Sequence, residues 1–353
     1  MTSKLPRHLL STLLLLFSAV MAHAAEPPIE IKVVVVTMFE IGKDTGDTAG
    51  EFQLWHDRQK LDEKLKFAHH HDLYLNRKTG VLGMVTGMGT ANSATAVMAL
   101  ALDPRFDLSK AYWLVAGIAG VDPEDAPIGS AAWAEYLVDG DLAHEIDARE
   151  IPKDWKTGYW PLFSAGPYDP KRPGGNGEVF RLNPDLTEWA YQLTRNVKLK
   201  DNEGLQKTRA KFKDHANAQK PPFVLKGDNL AGMTFWHGKL LNEWANDWTK
   251  FWTGGKGNFV TSAMEDTGSY LSLSYVHPTG KVDKERMMVL RTASNYTMPP
   301  PGVTAAQHMK AENEGYSGLN DSVEAAYAVG SVVVDEIVRN WAKYRDHTPP
   351  LKK

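Results

Sequence analysis

The sequence predicts an α/β fold, on three observations. β-branched apolar runs of strand length recur along it, glycine-bearing turns follow several of them, and alanine-rich or periodically apolar stretches of helix length lie between them. Ile31–Thr37 (IKVVVVT) reads as a buried strand that ends at Met38-Phe39-Glu40, before a polar loop from Gly42 to Gly50. Val81–Thr86 reads as a second strand, running into Gly87-Met88-Gly89-Thr90 and then a helix over about Ala91–Leu102. Ala111–Ala116 reads as a third strand, ending at a Gly117-Ile118-Ala119-Gly120 turn, and Ser130–Val138 as a fourth.

The middle of the chain changes character. Pro152, Pro161, Pro167, Pro170 and Pro173 alternate with Gly158, Gly166, Gly174, Gly175 and Gly177, so Ile151–Asn183 predicts a long loop or lid. A helix follows over Pro184–Asn196, then a charged stretch, Lys198–Lys220, a strand at Phe223–Leu225 and a tryptophan-rich segment, Asn242–Trp252. Thr261–Asp266 opens a helical segment carrying Tyr270, Leu271, Leu273 and Tyr275, and Met287–Thr292 reads as a strand that stops at Ser294-Asn295. Val323, Tyr327, Gly330, Val334, Ile337 and Trp341 recur at helical spacing in a last helix, for which Asp321 and Glu324 predict a capping box.

Composition narrows the function classes. Of 353 residues 42% are hydrophobic, which suffices for a sizeable core. The formal net charge of -3 leaves no basic stripe for a nucleic acid. With no cysteine, disulfides, thiolate metal sites, thiol nucleophiles and a lipid-modified N-terminal cysteine are all excluded. The run His69-His70-His71-Asp72 predicts no metal site, because consecutive imidazoles point in different directions on a regular backbone. No cofactor is expected, and His237 is expected as a packed histidine.

The N-terminus reads as a secretory leader. Lys4, Arg7 and His8 supply a positive start, Leu9–Val20 an apolar core, and Ala22-His23-Ala24 a small-x-small cleavage site, so the mature chain is expected to begin near Ala25 and to be periplasmic or secreted. Later apolar runs such as Val33–Val36 and Val332–Val334 are too short to cross a membrane.

Strand ends followed by glycines are where open α/β sheets place ligands. Gly87, Met88, Gly89, Thr90 and Asn92 form one such site, where the helix N-terminus offers unpaired N–H groups to an anion or a ribose hydroxyl. Gly117 begins a second, and Ser294-Asn295 marks another. Met264-Glu265 carries a different chemistry: a carboxylate can accept hydrogen bonds from sugar hydroxyls, while a thioether gives soft contact to a sugar face. Glu40, at the end of the first strand, could act as a general base on a water, and Asp266 is the second candidate base.

Four blocks together produce a resemblance. They are Thr86–Ala94 (TGMGTANSA), Val115–Pro123 followed by Ile128–Trp133, Ser262–Gly268 (SAMEDTG) and Arg291–Tyr296 (RTASNY). In these blocks the chain resembles the purine nucleoside permease family, whose domain is similar to nucleoside phosphorylases and nucleosidases. The resemblance implies a nucleoside phosphorylase-like mixed central sheet flanked by helices, as one domain over residues 25–353 with an inserted loop region. It implies that Gly87, Met88, Gly89 and Thr90 lie beside the sugar, that Met264 and Glu265 hold the ribose, and that Asn295 meets the purine edge. An aromatic residue such as Phe235 or Trp236 would stack on the base. A homo-oligomer is also implied, since related phosphorylases complete their sites across subunits.

Two departures bear on phosphate. The phosphorylases place an arginine two residues before the Gly-x-x-Gly turn, where this chain has Val115, and another in the early loop, where this chain has Met38–Asp44 with Lys43 alone. Guanidinium forks are the preferred partners of phosphate, so phosphorolysis is disfavoured. Two readings follow. An exported protein binds a purine nucleoside and supports its uptake; or an enzyme cleaves the N-glycosidic bond, by water with Glu40 or Asp266 as base, or by phosphate if another cation replaces the missing arginine.

Overall fold

The computed structural model describes residues 27–68, 71–167, 169, 177–315 and 317–350. The expected leader, His69, His70, Pro170, Pro173, Gly174 and Gly175 lie outside the described residues.

Among the described residues twelve strands form one mixed sheet. They are β1 (Val33–Thr37), β2 (Glu63–Leu65), β3 (Leu73–Asn76), β4 (Val81–Val85), β5 (Tyr112–Val121), β6 (Ala131–Trp133), β7 (Tyr136–Asp139), β8 (Val179–Arg181), β9 (Val224–Lys226), β10 (Asp228–Ala231), β11 (Phe259–Ala263) and β12 (Met287–Tyr296). Their order is β8-β7-β10-β11-β5-β1-β4-β3-β2, with a branch in which β5 also pairs with β12, β12 with β6, and β6 with β9. Strand β5 is long enough to serve three neighbours. Its first half runs parallel to β1, its last two residues antiparallel to β11, and nearly all of it parallel to β12.

Helices cover both faces: α1 (Gln53–Gln59), α2 (Thr90–Ala101), α3 (Pro184–Thr194), α4 (Glu203–Arg209), α5 (Lys239–Thr253), α6 (Asp266–Val276), α7 (Ala305–Asn313) and α8 (Leu319–Arg339). The alternation of side chains along a strand divides β1 between the two layers. Val34 and Val36 join Leu82, Met84 and Val115 against Val97 and Leu100 of α2 and Leu273 of α6. Val33 and Val35 join Leu114 against Trp55 of α1 and Val329, Val333 and Ile337 of α8. Both faces being buried, β1 has no polar alternation to show, which is why its sequence is a run of valines. The mixed sheet flanked by helices is the fold the sequence predicted.

Several boundaries differ from expectation, each for a local reason. The Gly117–Gly120 segment is not a turn; it stays in β5, because β12 pairs with it through Tyr296. The expected strand Ser130–Val138 breaks into β6 and β7 where the Asp228 carboxylate accepts the backbone N–H groups of Glu135 and Tyr136. Thr261–Ala263 belongs to β11, and the helix begins only at Asp266. The charged stretch contains α4, and the tryptophan-rich segment is α5. The capping box expected at Asp321 and Glu324 does not form. α8 starts at Leu319 behind Gly318, Asp321 accepts from Asn202, and Glu324 pairs with Arg58. Within the Ile151–Asn183 region, Tyr159–Pro161 pairs with Ala143–Glu145, and β8 joins the sheet edge.

Candidate functional site

The cleft that the motifs share lies at the ends of β1, β5, β11 and β12 and has a volume of about 160 Å³. Met38 and Phe39 follow β1, Ile118–Gly120 come from β5, Ser262 and Ala263 end β11, and Arg291, Ser294 and Asn295 come from β12. Met264 and Glu265 lead into α6, Met88 precedes α2, Glu51 precedes α1, and Phe235 stands in the loop before α5.

A buried arginine organises the floor. Arg291 Nη2 lies 2.9 Å from Glu265 Oε2 and 2.9 Å from Asp266 Oδ1, and its Nη1 donates to the Ile118 carbonyl at 3.1 Å. Glu265 Oε1 accepts the Gly89 N–H at 2.9 Å, and its Oε2 also accepts the Met264 N–H at 3.3 Å. A carboxylate oxygen has two lone pairs, so Oε2 is fully used while Oε1 retains one acceptor position. Glu51 is equally constrained: its Oε2 accepts from the N–H groups of Met38 at 2.7 Å and Phe39 at 3.3 Å, and its Oε1 from Ile118 at 2.7 Å. Three carboxyl groups thus surround one guanidinium. Burial pushes the Glu51 carboxyl up to about 8, against the pull of Arg291 and with a further push from Glu265. Burial also raises Asp266, opposed by Arg291.

Gly117 is required here by close approach. A Cβ at this position would stand 2.0 Å from Met38 Cε, 2.6 Å from Glu51 Oε1 and 2.8 Å from Arg291 Nη1. Gly87 and Gly89, with φ of 83° and 95°, occupy the left-handed half of conformational space that glycine permits without a Cβ clash.

The structure brings Met88, Phe235, Met264, Glu265 and Asn295 to one cavity. The other expected residues take different places. Gly89 contacts Glu265 through its backbone, and Thr90 Oγ1 donates to the Met264 carbonyl at 2.9 Å, so both hold the carboxylate's frame without lining the cleft. Asn92 is exposed and donates to Met88 O at 2.8 Å. Gly87 and Gly117 shape the backbone. Trp236 turns away, packing on Trp244 and Phe259.

The two expected bases stand outside the cleft lining. The Glu40 carboxylate accepts the N–H groups of Gly50, Phe52 and Gln53, closing the early loop onto the start of α1, and it is not among the residues lining the cleft. Asp266 is fully buried behind the floor, held by Arg291 and by the Asn229 amide. Asp44 is tied to His71 and Tyr74, and Asp47 accepts the Lys43 N–H.

Glu51 and Arg291 are the site residues that reading the sequence missed. Arg291 left a signal, a charged residue inside an apolar strand that must be neutralised where it is buried. Glu51 left none, since only folding brings it beside Met38, 13 residues earlier.

A large mixed sheet lies between helical layers, and a carboxylate and an amide line one cleft at its strand ends. The chain superposes on the 5'-methylthioadenosine/S-adenosylhomocysteine nucleosidase of Helicobacter pylori with a TM-score of 0.51 at 15% identity, covering 87% of this chain and 99% of that one. It matches a futalosine hydrolase mutant of the same organism with a TM-score of 0.52 at 15% identity, over 87% and 99%. At these identities the likeness is one of fold. In sequence the chain is 28% identical over 282 residues to a probable purine nucleoside permease of Schizosaccharomyces pombe, 76% of this chain and 79% of that protein. It is 32% identical over 279 residues to a purine nucleoside permease of Candida albicans, 77% of this chain and 67% of that protein. The model of the purine nucleoside permease (NUP) family matches residues 30–349, and the chain belongs to that family.

Proposed function

We propose that the protein binds a purine nucleoside in this cleft, in support of nucleoside uptake, after export by its N-terminal leader. The observation that carries the reading is that Glu265 and Asn295 share one small cavity with Phe235 and two methionines, Met88 and Met264. The open lone pair of Glu265 Oε1 accepts a ribose hydroxyl, the Asn295 amide donates to and accepts from the purine edge, and Phe235 offers its ring face to the base. Family membership supports the ligand class, and transport itself rests on the names of the relatives. Among the described residues no helix is long and apolar enough to cross a membrane.

A second reading, hydrolysis of the N-glycosidic bond, is favoured by Glu51. This carboxyl lines the cleft, and its Oε1, which accepts from Ile118 alone, keeps one lone pair for a water. In its ionised form it takes a proton from that water as the oxygen attacks the anomeric carbon; the bond to the base breaks, and its electron pair leaves with the purine. Glu265 favours the positive charge that develops on the sugar. The chain shares its fold with a 5'-methylthioadenosine/S-adenosylhomocysteine nucleosidase and a futalosine hydrolase, which supports this chemistry. Phosphate is the poorer nucleophile here, because the guanidinium of Arg291 is already engaged by Glu265 and Asp266 and a phosphate would meet Glu51 and Glu265.

The test is to incubate purified mature protein with inosine, adenosine or guanosine, with and without phosphate, and to resolve products by chromatography. Free base at turnover without phosphate establishes hydrolysis. Saturable binding without base release leaves the binding role alone, and neither outcome with any nucleoside would retire both readings.

A further inference from the structure

Two segments far apart in sequence build a second cluster that the nucleoside reading does not use. His308 and Glu312 stand one turn apart on α7, on the same side of the helix. His237 comes from the loop before α5. Both supports are fixed. A capping box between Thr304 and Gln307 holds the start of α7, and Gly238 N–H donates to Thr297 O at 3.0 Å, tying the His237 loop to the end of β12. The two imidazole rings stack with centroids 4.9 Å apart.

One ligand-capable atom from each of His237, His308 and Glu312 lies within 4.8 Å of the others. His308 Nδ1 is 3.0 Å from His237 Nε2 and 3.7 Å from Glu312 Oε1, and His237 Nδ1 is 3.9 Å from Glu312 Oε2. Zinc bound at about 2.0–2.1 Å in a tetrahedron holds its ligand atoms about 3.3 Å apart. With one atom taken from each residue, the three lie within 4.8 Å of one another, so small side-chain rotations bring them toward that spacing.

The cluster is also unsatisfied. The side chains of His237 and Glu312 are 1% and 9% exposed, and His237 Nδ1 and Glu312 Oε2 have no hydrogen-bond partner among the described residues. Buried polar atoms are normally paired, and these two face each other across a gap too wide for a hydrogen bond. An imidazole pair with one carboxylate is a donor set suited to zinc and neighbouring divalent transition metals, with a fourth position left for water. Glu312 also lies within reach of the Asn295 side chain, and Phe235 is two residues before His237, so the cluster adjoins the cleft on two sides.

We propose that His237, His308 and Glu312 form a site for a divalent transition-metal ion of the zinc type, which pins the loop carrying Phe235 to α7 and fixes that wall of the cleft. The site stands on its own geometry and does not depend on which ligand the cleft takes.

The full mature protein, freed of metal by dialysis against a chelator, is titrated with Co²⁺ and then with Zn²⁺. The expected result is one Co²⁺ per chain with the intense visible absorption of a four-coordinate site, displaced by one equivalent of Zn²⁺. His308→Ala and Glu312→Gln should each weaken Co²⁺ binding at least tenfold, with circular dichroism confirming that both variants fold. A variant with alanine at His69, His70 and His71 should keep the band. Absence of a four-coordinate band in the wild-type protein overturns the proposal, and leaves only a hydrogen-bonded histidine pair. A band that survives His308→Ala and vanishes in the triple-alanine variant overturns it equally, and moves the ion to the histidine run.

Discussion

Glu265 and Glu51 show how position in the fold separates two buried carboxyl groups in one cleft. Glu265 is held against Arg291 and keeps one acceptor position open. Removing it deletes the proposed ribose contact and leaves Arg291 with Asp266 as its remaining direct ion pair. Glu265→Ala should therefore abolish nucleoside binding, read by calorimetry. Glu51 is pushed from 4.5 up to about 8, chiefly by burial. If it is the base of hydrolysis, the rate rises with pH and levels off above about 8, and Glu51→Gln lowers kcat by about 10²–10⁴-fold while nucleoside binding persists. The same shift fixes a sign for stability. Between 4.5 and about 8 the folded chain holds a proton that the unfolded chain releases, so the Glu51 contribution to stability falls as pH rises through that window. Glu51→Gln should flatten the dependence and raise the melting temperature at pH 8, measured by thermal denaturation across pH. At this scale the sequence was legible where chemistry is local. Asn295 lies near the end of a strand that read as such, whereas Met264-Glu265 was legible from its residue chemistry alone, since its segment read as the opening of a helix and follows a strand instead. Glu40 also lies at a strand end, yet its carboxylate turns back to the α1 backbone, and no local pattern reveals which way a side chain turns.

The elements that carry the site were mostly visible, because buried parallel strands and alanine-rich helices impose their periods on the sequence. What was not visible is the reach of β5. A Gly-x-x-Gly pattern predicts a turn locally, but in this fold the absence of a side chain at Gly117 admits Met38, Glu51 and Arg291 to the same space while β12 holds the backbone extended. Gly117→Ala should accordingly push these groups apart and cost about 1–3 kcal/mol of stability, as overpacked cores do, with nucleoside binding lost; urea denaturation and calorimetry check both. Gly268 plays a comparable part between helices. Its missing Cβ would sit 2.3 Å from Thr90 O, so α6 can lie directly on the start of α2 and bring Glu265 to the Gly89 N–H. The break between β6 and β7 was illegible for a different reason, since Asp228 acts on it from about 90 residues away.

At the scale of the whole molecule, the sheet collects residues from Met38 to Asn295 around one cleft, and the family match over residues 30–349 includes all of them. The proposed export is tested at this scale too. N-terminal sequencing of protein recovered from outside the inner membrane should find a chain beginning near Ala25, and a full-length chain retained in the cytoplasm would refute the leader. The central claim is that one cleft holds both the sugar and the base edge of a purine nucleoside. Its most direct test is a calorimetric titration of the mature protein with inosine, adenosine and guanosine, repeated with Glu265→Ala and Asn295→Ala. Saturable binding of at least one nucleoside at one site per chain is expected, lost in the first variant and weakened in the second. Undiminished binding by both variants would contradict it.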